Sequence, residues 1–231
     1  MDGRPHSPIP APPALPPGAA SDVVEETLVL AGRAVSMLRP RDGAAVLDEL
    51  LAEDDPDEDR LPFWTELWPS GTALAQAIAT RPLAGRRVLE LGCGLGLVGV
   101  TAALAGAAVL VVDRSPEAIA FATRNAERNG VTLQTAVRAF DQPEPLLAGA
   151  PWDLVLAADV LYEQRNVPVL LWLLPRLTGQ DGEVWLADPG RPMLGRFLAG
   201  AEATGWRHEQ VAAGPDTVAV FRLRRAAARQ P

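Results

Sequence analysis

The residues that could do chemistry gather in a few short stretches. In Glu90-Leu-Gly-Cys-Gly-Leu-Gly-Leu-Val-Gly99 an acid stands just ahead of a run of glycines, and Val109-Leu-Val-Val-Asp113 follows with a second acid. Glycines let a backbone turn sharply and approach a ligand, while an acid ending the next strand can accept hydrogen bonds from ribose hydroxyls. Together they describe a pocket for an adenosine-containing cofactor. Downstream, Asp159-Val-Leu-Tyr162 holds a carboxylate and the only tyrosine of the chain. Glu66 and Glu163 are weaker candidates for holding a cation, since exposed acids are usually only solvated.

A pocket of this kind needs parallel strands that end side by side, and the spacing supplies them. From Ser70 onward strand and helix signals alternate, the mark of a parallel α/β sheet. The pattern predicts a helix over 70–80, a strand over 87–91, a helix from the glycine turn to about Gly106 and a strand over 108–113. Ser115 reads as an N-cap with Pro116 at the first helical position and Gly130 as the stop. Strands are expected over 133–140, 153–158 and 183–187, with helices from Pro168 to about Leu177 and over 193–204. Two strands, about 207–212 and 217–223, follow too closely for a helix between them, so a closing antiparallel pair is expected. Upstream, Glu26–Leu38 reads as a hairpin turning at Gly32, Ala44–Ala52 as a helix, and Glu53–Asp59 as a solvated acidic loop. Seven prolines within residues 1–21 predict a disordered tail, and the chain from Arg224 to Pro231 is expected to fray. The domain limits read 22–60 for an N-terminal extension, 61–225 for the main domain and 226–231 for a terminal tail.

Composition narrows the function classes. The 231 residues carry a net charge of −8, which argues against a partner held by nucleic-acid phosphates. A single cysteine, Cys93, excludes an intramolecular disulfide and a multi-cysteine zinc site. Cys93 reads as a small packed residue, because no histidine stands near enough to activate it. His6 and His208 are far apart, so no metal site is expected, and His208 reads as structural. Met1–Ala20 lacks a compact apolar core, which points to a cytosolic protein without a secretory signal. Leu95–Val112 is long and uncharged enough to suggest a membrane span, yet its glycines suit helix, turn and buried strand better. The tryptophans at 152, 172, 185 and 206 are expected to fill the core.

Gly94-Leu-Gly-Leu-Val-Gly99 satisfies the dinucleotide fingerprint, so an NAD(P)-binding oxidoreductase is one alternative. Glu90 argues against it, because a carboxylate there repels a pyrophosphate but suits the ammonium of S-adenosyl-L-methionine (AdoMet). The stretch Glu90–Gly96, with Asp113, Asp141 and Asp159 each ending a strand, resembles motif I and its surroundings in class I AdoMet-dependent methyltransferases. That resemblance implies a Rossmann-like sandwich of seven strands, mostly parallel, with the last strand antiparallel, here extended by the small N-terminal hairpin. Pro62-Phe-Trp-Thr-Glu-Leu-Trp-Pro-Ser-Gly71 and Ala158-Asp-Val-Leu-Tyr-Glu163 narrow it further. They resemble the seven-β-strand protein-lysine methyltransferase group, also labelled nicotinamide N-methyltransferase-like.

The resemblance implies roles. Trp68 would touch the cofactor, and Gly92, Cys93, Gly94 and Gly96 would form the turn under its methionine part, beside Glu90. Asp113 would bind the ribose, Asp141 and Gln142 would face adenine, and Ala158 would line the same pocket. Members commonly place a tryptophan where this chain has Gln142, which leaves the Asp141 carboxylate to accept from the adenine amino group. Asp159 would orient the acceptor amine and Tyr162 would wall the methyl channel; the alternative is that Asp159 caps the loop and Tyr162 packs. The implied activity is methyl transfer to a protein lysine. A small-molecule amine acceptor and a non-catalytic AdoMet-binding protein are the other readings.

Overall fold

The computed structural model describes residues 23–51, 61–215 and 217–226. The proline-rich tail, the acidic run Glu53–Asp59 and the chain beyond Ala226 lie outside the described residues. Strands β1 (Val23–Leu30) and β2 (Arg33–Pro40) form a separate two-stranded antiparallel sheet. Ala31 and Gly32 join them with φ of 49° and 82°, the backbone of a type I′ hairpin turn. Helix α1 (Gly43–Leu51) follows, and then a 3-10 turn at Phe63–Thr65 leads into the main body.

The main body alternates α2 (Pro69–Ala79), β3 (Arg87–Leu91), α3 (Leu97–Leu104), β4 (Ala108–Asp113), α4 (Pro116–Arg128), β5 (Gln134–Val137), α5 (Glu144–Ala148), β6 (Trp152–Ala158), α6 (Asn166–Leu177), β7 (Thr178–Asp188), α7 (Leu194–Ala203), β8 (Trp206–Ala213) and β9 (Ala219–Arg225). Its seven-stranded sheet runs β5-β4-β3-β6-β7-β9-β8. The pairs from β5 to β7 are parallel, whereas β9 is antiparallel to both β7 and β8 and inserted between them. This is the expected Rossmann-like sandwich. Chain order reverses between β3 and β6, the place where an open parallel sheet leaves a crevice. Successive side chains of β3 alternate between two cores: Val88 packs with α2–α4, whereas Leu89 and Leu91 pack with α6 and α7. Glu90 therefore falls on the α2–α4 side. The uncharged stretch over 95–112 is α3, a turn and β4, and no helix among the described residues is long and apolar enough to cross a membrane.

Several boundaries differ from the sequence pattern, each for a physical reason. β5 ends at Val137 rather than 140, because it is an edge strand whose only partner, β4, ends at Asp113 opposite it. The short α5 was not anticipated. α6 opens at Asn166, two residues before Pro168, because a proline within the first helical turn removes an N–H that has no helical partner anyway. β7 starts at Thr178, five residues before the expected Glu183, and its register against β6 shifts between Trp152 and Leu154. β9 continues through Arg225 instead of fraying from Arg224. Arg224 pairs with Glu209 at 3.1 Å and Arg225 stacks over Trp206 at 5.5 Å. Trp152, Trp185 and Trp206 are buried as expected; Trp172 is 45% exposed, lying on the outer side of α6 under Arg176 at 4.1 Å.

The hairpin is fastened to the main body by two asparagines one helical turn apart on α4. Asn125 accepts from the Leu38 N–H at 2.6 Å and donates to the carbonyls of Leu38 and Leu95. Asn129 accepts from the Ser36 N–H at 3.0 Å and donates to the Ser36 carbonyl at 2.7 Å. Residues i and i+4 of a helix face neighbouring points, as do alternate residues of a strand, so two carboxamides supply β2 with a third strand's hydrogen bonds. Asn125 is fully buried, and its bond to Leu95 ties the hairpin to the glycine turn. Asn125→Ala is expected to cost about 2–3 kcal/mol and Asn129→Ala about 1–2 kcal/mol in urea unfolding, because buried groups left unpaired lose their full solvation.

Candidate active site

A cleft of about 1470 Å³ opens along the edge of the sheet where the parallel strands end. Trp68, Glu90, Gly92, Cys93, Gly94, Asp113, Asp141, Gln142, Ala158, Asp159 and Tyr162 all line it. Of the expected site residues only Gly96 does not. It is the N-cap of α3 at φ 83°, and a Cβ there would stand 2.7 Å from the Ala122 Cβ and 2.9 Å from its Cα. Gly96 lets α3 start against α4 and is a packing residue. Gly99 is another: a Cβ there would meet a Val111 methyl at 2.4 Å and Glu90 Oε2 at 2.7 Å.

The floor of the cleft is the turn after β3. Gly92 and Gly94 have φ of 66° and 50°, values L-residues with a Cβ rarely adopt. Asp113 Oδ2 accepts from the Gly94 N–H at 2.9 Å and Oδ1 from the Ser115 N–H at 3.0 Å. One carboxylate thus pins the glycine turn to the end of β4 while remaining on the cleft wall. Burial pushes the Asp113 carboxyl upward, and the two backbone donors pull it back. The Ser115 side chain caps α4, accepting from the Ala118 N–H at 3.1 Å. Cys93 is buried with its thiol pushed well up by burial, so it is no nucleophile in this state.

Glu90 is the most constrained group of the floor. It is 2% exposed, and Oε2 has no hydrogen-bond partner among the described residues. Burial, with Asp113 adding to it, raises its carboxyl to about 8, against the pull of the Gly99 N–H. An isolated buried carboxylate is costly, so the group holds its proton near neutrality unless a cation arrives.

The walls come from three places. Trp68, at the N-cap of α2, is held by its indole N–H donating to the Phe63 carbonyl at 2.6 Å. Phe63 in turn meets Tyr162 with ring centroids 5.8 Å apart. Burial pushes the Tyr162 hydroxyl upward, so it stays protonated. Asp141 and Gln142 line the cleft but do not end a strand. They lie exposed in the turn after β5, where the Gln142 N–H bonds the Ala139 carbonyl at 3.1 Å. Asp159 follows the last residue of β6 at φ 58°, its N–H bonded to the Ala187 carbonyl at 2.9 Å.

Two participants escaped the sequence pattern. Phe63 sits inside the stretch already singled out, but only the fold brings it to Tyr162. Arg191 pairs through Nε with Asp159 Oδ1. The available signal was Asp188-Pro-Gly-Arg191, an acid ending a strand and followed by a turn, on the strand beside the one that carries Asp159. Of the weaker candidates, Glu163 pairs with Arg165, and Glu66 stands 3.8 Å from Arg39. His208 bonds Glu202 at 3.1 Å, away from the cleft.

Comparison with known proteins meets this geometry. The electron transfer flavoprotein beta subunit lysine methyltransferase of Danio rerio is 34% identical over 136 residues, 56% of this chain and 51% of that protein. The protein N-lysine methyltransferase METTL21A of Danio rerio is 38% identical over 110 residues, 46% of this chain and 50% of that protein. The chain spans about half the length of these curated relatives. A T. thermophilus 16S rRNA methyltransferase solved with AdoMet and guanosine shares the fold, with a TM-score of 0.65 at 17% identity over 92% of this chain and 52% of that one. The model of the lysine methyltransferase family matches residues 61–193, from the approach to the cleft through the turn that carries Arg191, and the chain belongs to that family.

Proposed function

We propose that the protein is an AdoMet-dependent N-methyltransferase whose acceptor is a lysine side chain of a protein. The observation that carries this is buried Glu90, which lines the cleft with Gly92 and Gly94 and whose Oε2 has no hydrogen-bond partner among the described residues. A buried carboxyl lacking a partner gains one when an ammonium draws off its proton, and a pyrophosphate offers no such cation, which favours AdoMet over a dinucleotide. Asp113 accepts from the ribose hydroxyls. Asp141 takes the adenine amino group, and Trp68 and Ala158 close the pocket around the cofactor.

When bound, AdoMet supplies a methyl on a sulfonium; on transfer the S–C electron pair stays on sulfur and the amine lone pair forms the N–CH3 bond. The protein must align the amine, exclude water and leave the lone pair unprotonated. Phe63 and Tyr162 form an apolar wall that excludes water and favours the neutral amine. Asp159 orients the amine by accepting one of its N–H groups, and the proton displaced by methylation leaves to solvent. The names of the relatives support a protein lysine as acceptor.

Tritiated AdoMet with a cell lysate tests the acceptor: label in protein bands supports a protein lysine, and label confined to small molecules identifies an amine metabolite instead. Asp159→Asn keeps a side chain that tolerates positive φ. With its charge gone, the amide oxygen stays engaged by Arg191 and holds the amine poorly, so kcat is expected to fall about 100-fold while AdoMet affinity in calorimetry stays within about threefold. Retained methyl transfer would remove Asp159 from the chemistry.

Glu90 makes a second prediction. The folded protein keeps its proton up to about pH 8, whereas the unfolded chain releases it near the ordinary carboxylate value. Glu90 therefore contributes full stability below that ordinary value and loses its contribution as pH rises through about 8. Glu90→Gln, without ligand, is expected to gain about 2–4 kcal/mol over wild type between about pH 5 and pH 8.5 in urea unfolding. The same variant should bind AdoMet at least about tenfold more weakly, having lost the charge that answers the ammonium. Wild-type binding near neutrality should release a proton, read by calorimetry in buffers of different ionisation enthalpy.

A further inference from the structure

Asp159 and Asp188 follow one another along the sheet edge. Ala158 pairs in register with Ala187 on neighbouring parallel strands, so the next residue of each strand is an acid. Strands stand about 4.8 Å apart, and two carboxylates side by side repel. Asp188 is fully buried, and its Oδ1 accepts from the N–H groups of Gly190 at 2.8 Å and Arg191 at 2.7 Å. That acid is thus committed to shaping the turn after β7. Gly190 bends the turn back at φ 89°, and Thr217 Oγ1 secures it by donating to the Pro189 carbonyl at 2.7 Å. The result delivers the Arg191 side chain to Asp159 Oδ1; no hydrogen bond to Oδ2 is present among the described residues. The Asp159 side chain is 11% exposed and that of Arg191 32%, so the pair lies partly out of the screening solvent.

We propose that Arg191 is a positioning residue that cancels the charge of Asp159, so that Asp159 can orient the acceptor amine without holding it as an ammonium. The proposal rests on the methyltransferase reading above. A lysine amine has an ordinary pKa of about 10.4, and a lone carboxylate within about 4–6 Å raises it by about one to three pH units. Each such unit removes nine-tenths of the reactive neutral amine near neutral pH. An acid paired with a guanidinium keeps its lone pairs for an N–H while adding no net charge. The other groups facing this pair and its neighbour Tyr162 are Asp188 at the end of β7, Glu163 and Arg165 in the loop before α6, and Asp113 and Arg114 at the end of β4. None of them is substituted in the Arg191 variants, so the variants differ from wild type in that side chain alone.

The test uses the full chain, tritiated AdoMet and a clarified cell lysate as acceptor, with rates of protein labelling measured from about pH 6.5 to pH 10. Arg191→Met is expected to bind AdoMet within about threefold of wild type. Its labelling rate should fall about tenfold near pH 7.5, with the acid limb of its kcat profile, which reports the bound amine, moved up by about one pH unit and much of the loss regained at high pH. Arg191→Lys keeps the charge and should return the limb to the wild-type position even if kcat is lower. A profile in Arg191→Met that keeps its wild-type shape while the rate falls equally at every pH, or an unchanged rate, would overturn the proposal in favour of a structural ion pair. If Arg191→Met fails to fold, a limb in Arg191→Lys at the wild-type pH supports charge cancellation and a displaced limb overturns it. A wild type that binds no AdoMet and labels no protein would instead overturn the methyltransferase reading, and this proposal with it.

Discussion

Parallel strands all finish at one edge, and in this protein that edge gathers four carboxyl groups. Glu90, Asp113, Asp159 and Asp188 lie at or just beyond the ends of β3, β4, β6 and β7. Four like charges in a partly desiccated crevice would push the strands apart unless each were answered. They are answered in three ways. Glu90 is pushed toward its neutral form by burial, Asp113 and Asp188 each accept two backbone N–H groups, and Asp159 takes a guanidinium. The outcome is a surface rich in acceptors but low in net charge.

The way each acid is answered, together with where it lies, fixes what it can do. Asp113 and Asp188 have identical chemistry and are both held by backbone amides, yet one faces the cleft and the other is sealed beneath a turn. Asp113 holds the glycine turn and keeps a face for ligand; Asp188 shapes the loop that presents Arg191. Asp159, the only one of the four paired to a side chain, is also the one whose partner can be exchanged without breaking a backbone turn. Its left-handed φ of 58° sets the carboxylate apart from the strand direction, a strain typical of residues held for function.

How much of this was legible in the sequence depends on the range of the interaction. The βα alternation, the capped start of α4 and the closing antiparallel pair are local, because periodicity and turn residues encode them within a dozen positions. The acids at the strand ends were legible for the same reason. Strand β5 was overextended because its end is set by where β4 stops, a fact about a neighbour rather than about residues 138–140. Arg191 was missed because its partner lies 32 positions away on another strand, and a single arginine in a turn carries no periodic signal. Asn125 and Asn129 were missed likewise. They read as ordinary polar residues of a surface helix, and only the packing of the hairpin turns them into the missing strand of a sheet.

The glycine pattern shows why a motif and its meaning can separate. Gly94, Gly96 and Gly99 satisfy the dinucleotide fingerprint, but the last two satisfy it for reasons that precede any cofactor. Gly96 clears Ala122 so that α3 can start, and Gly99 clears Val111 and Glu90 so that α3 can lie on the sheet. The packing of α3 in this structure requires those two glycines, whatever the cleft binds. Gly99 also makes room for Glu90. A side chain at Gly99 would occupy the space of the carboxyl, so the helix packing and the buried acid of the cleft floor are parts of one steric arrangement.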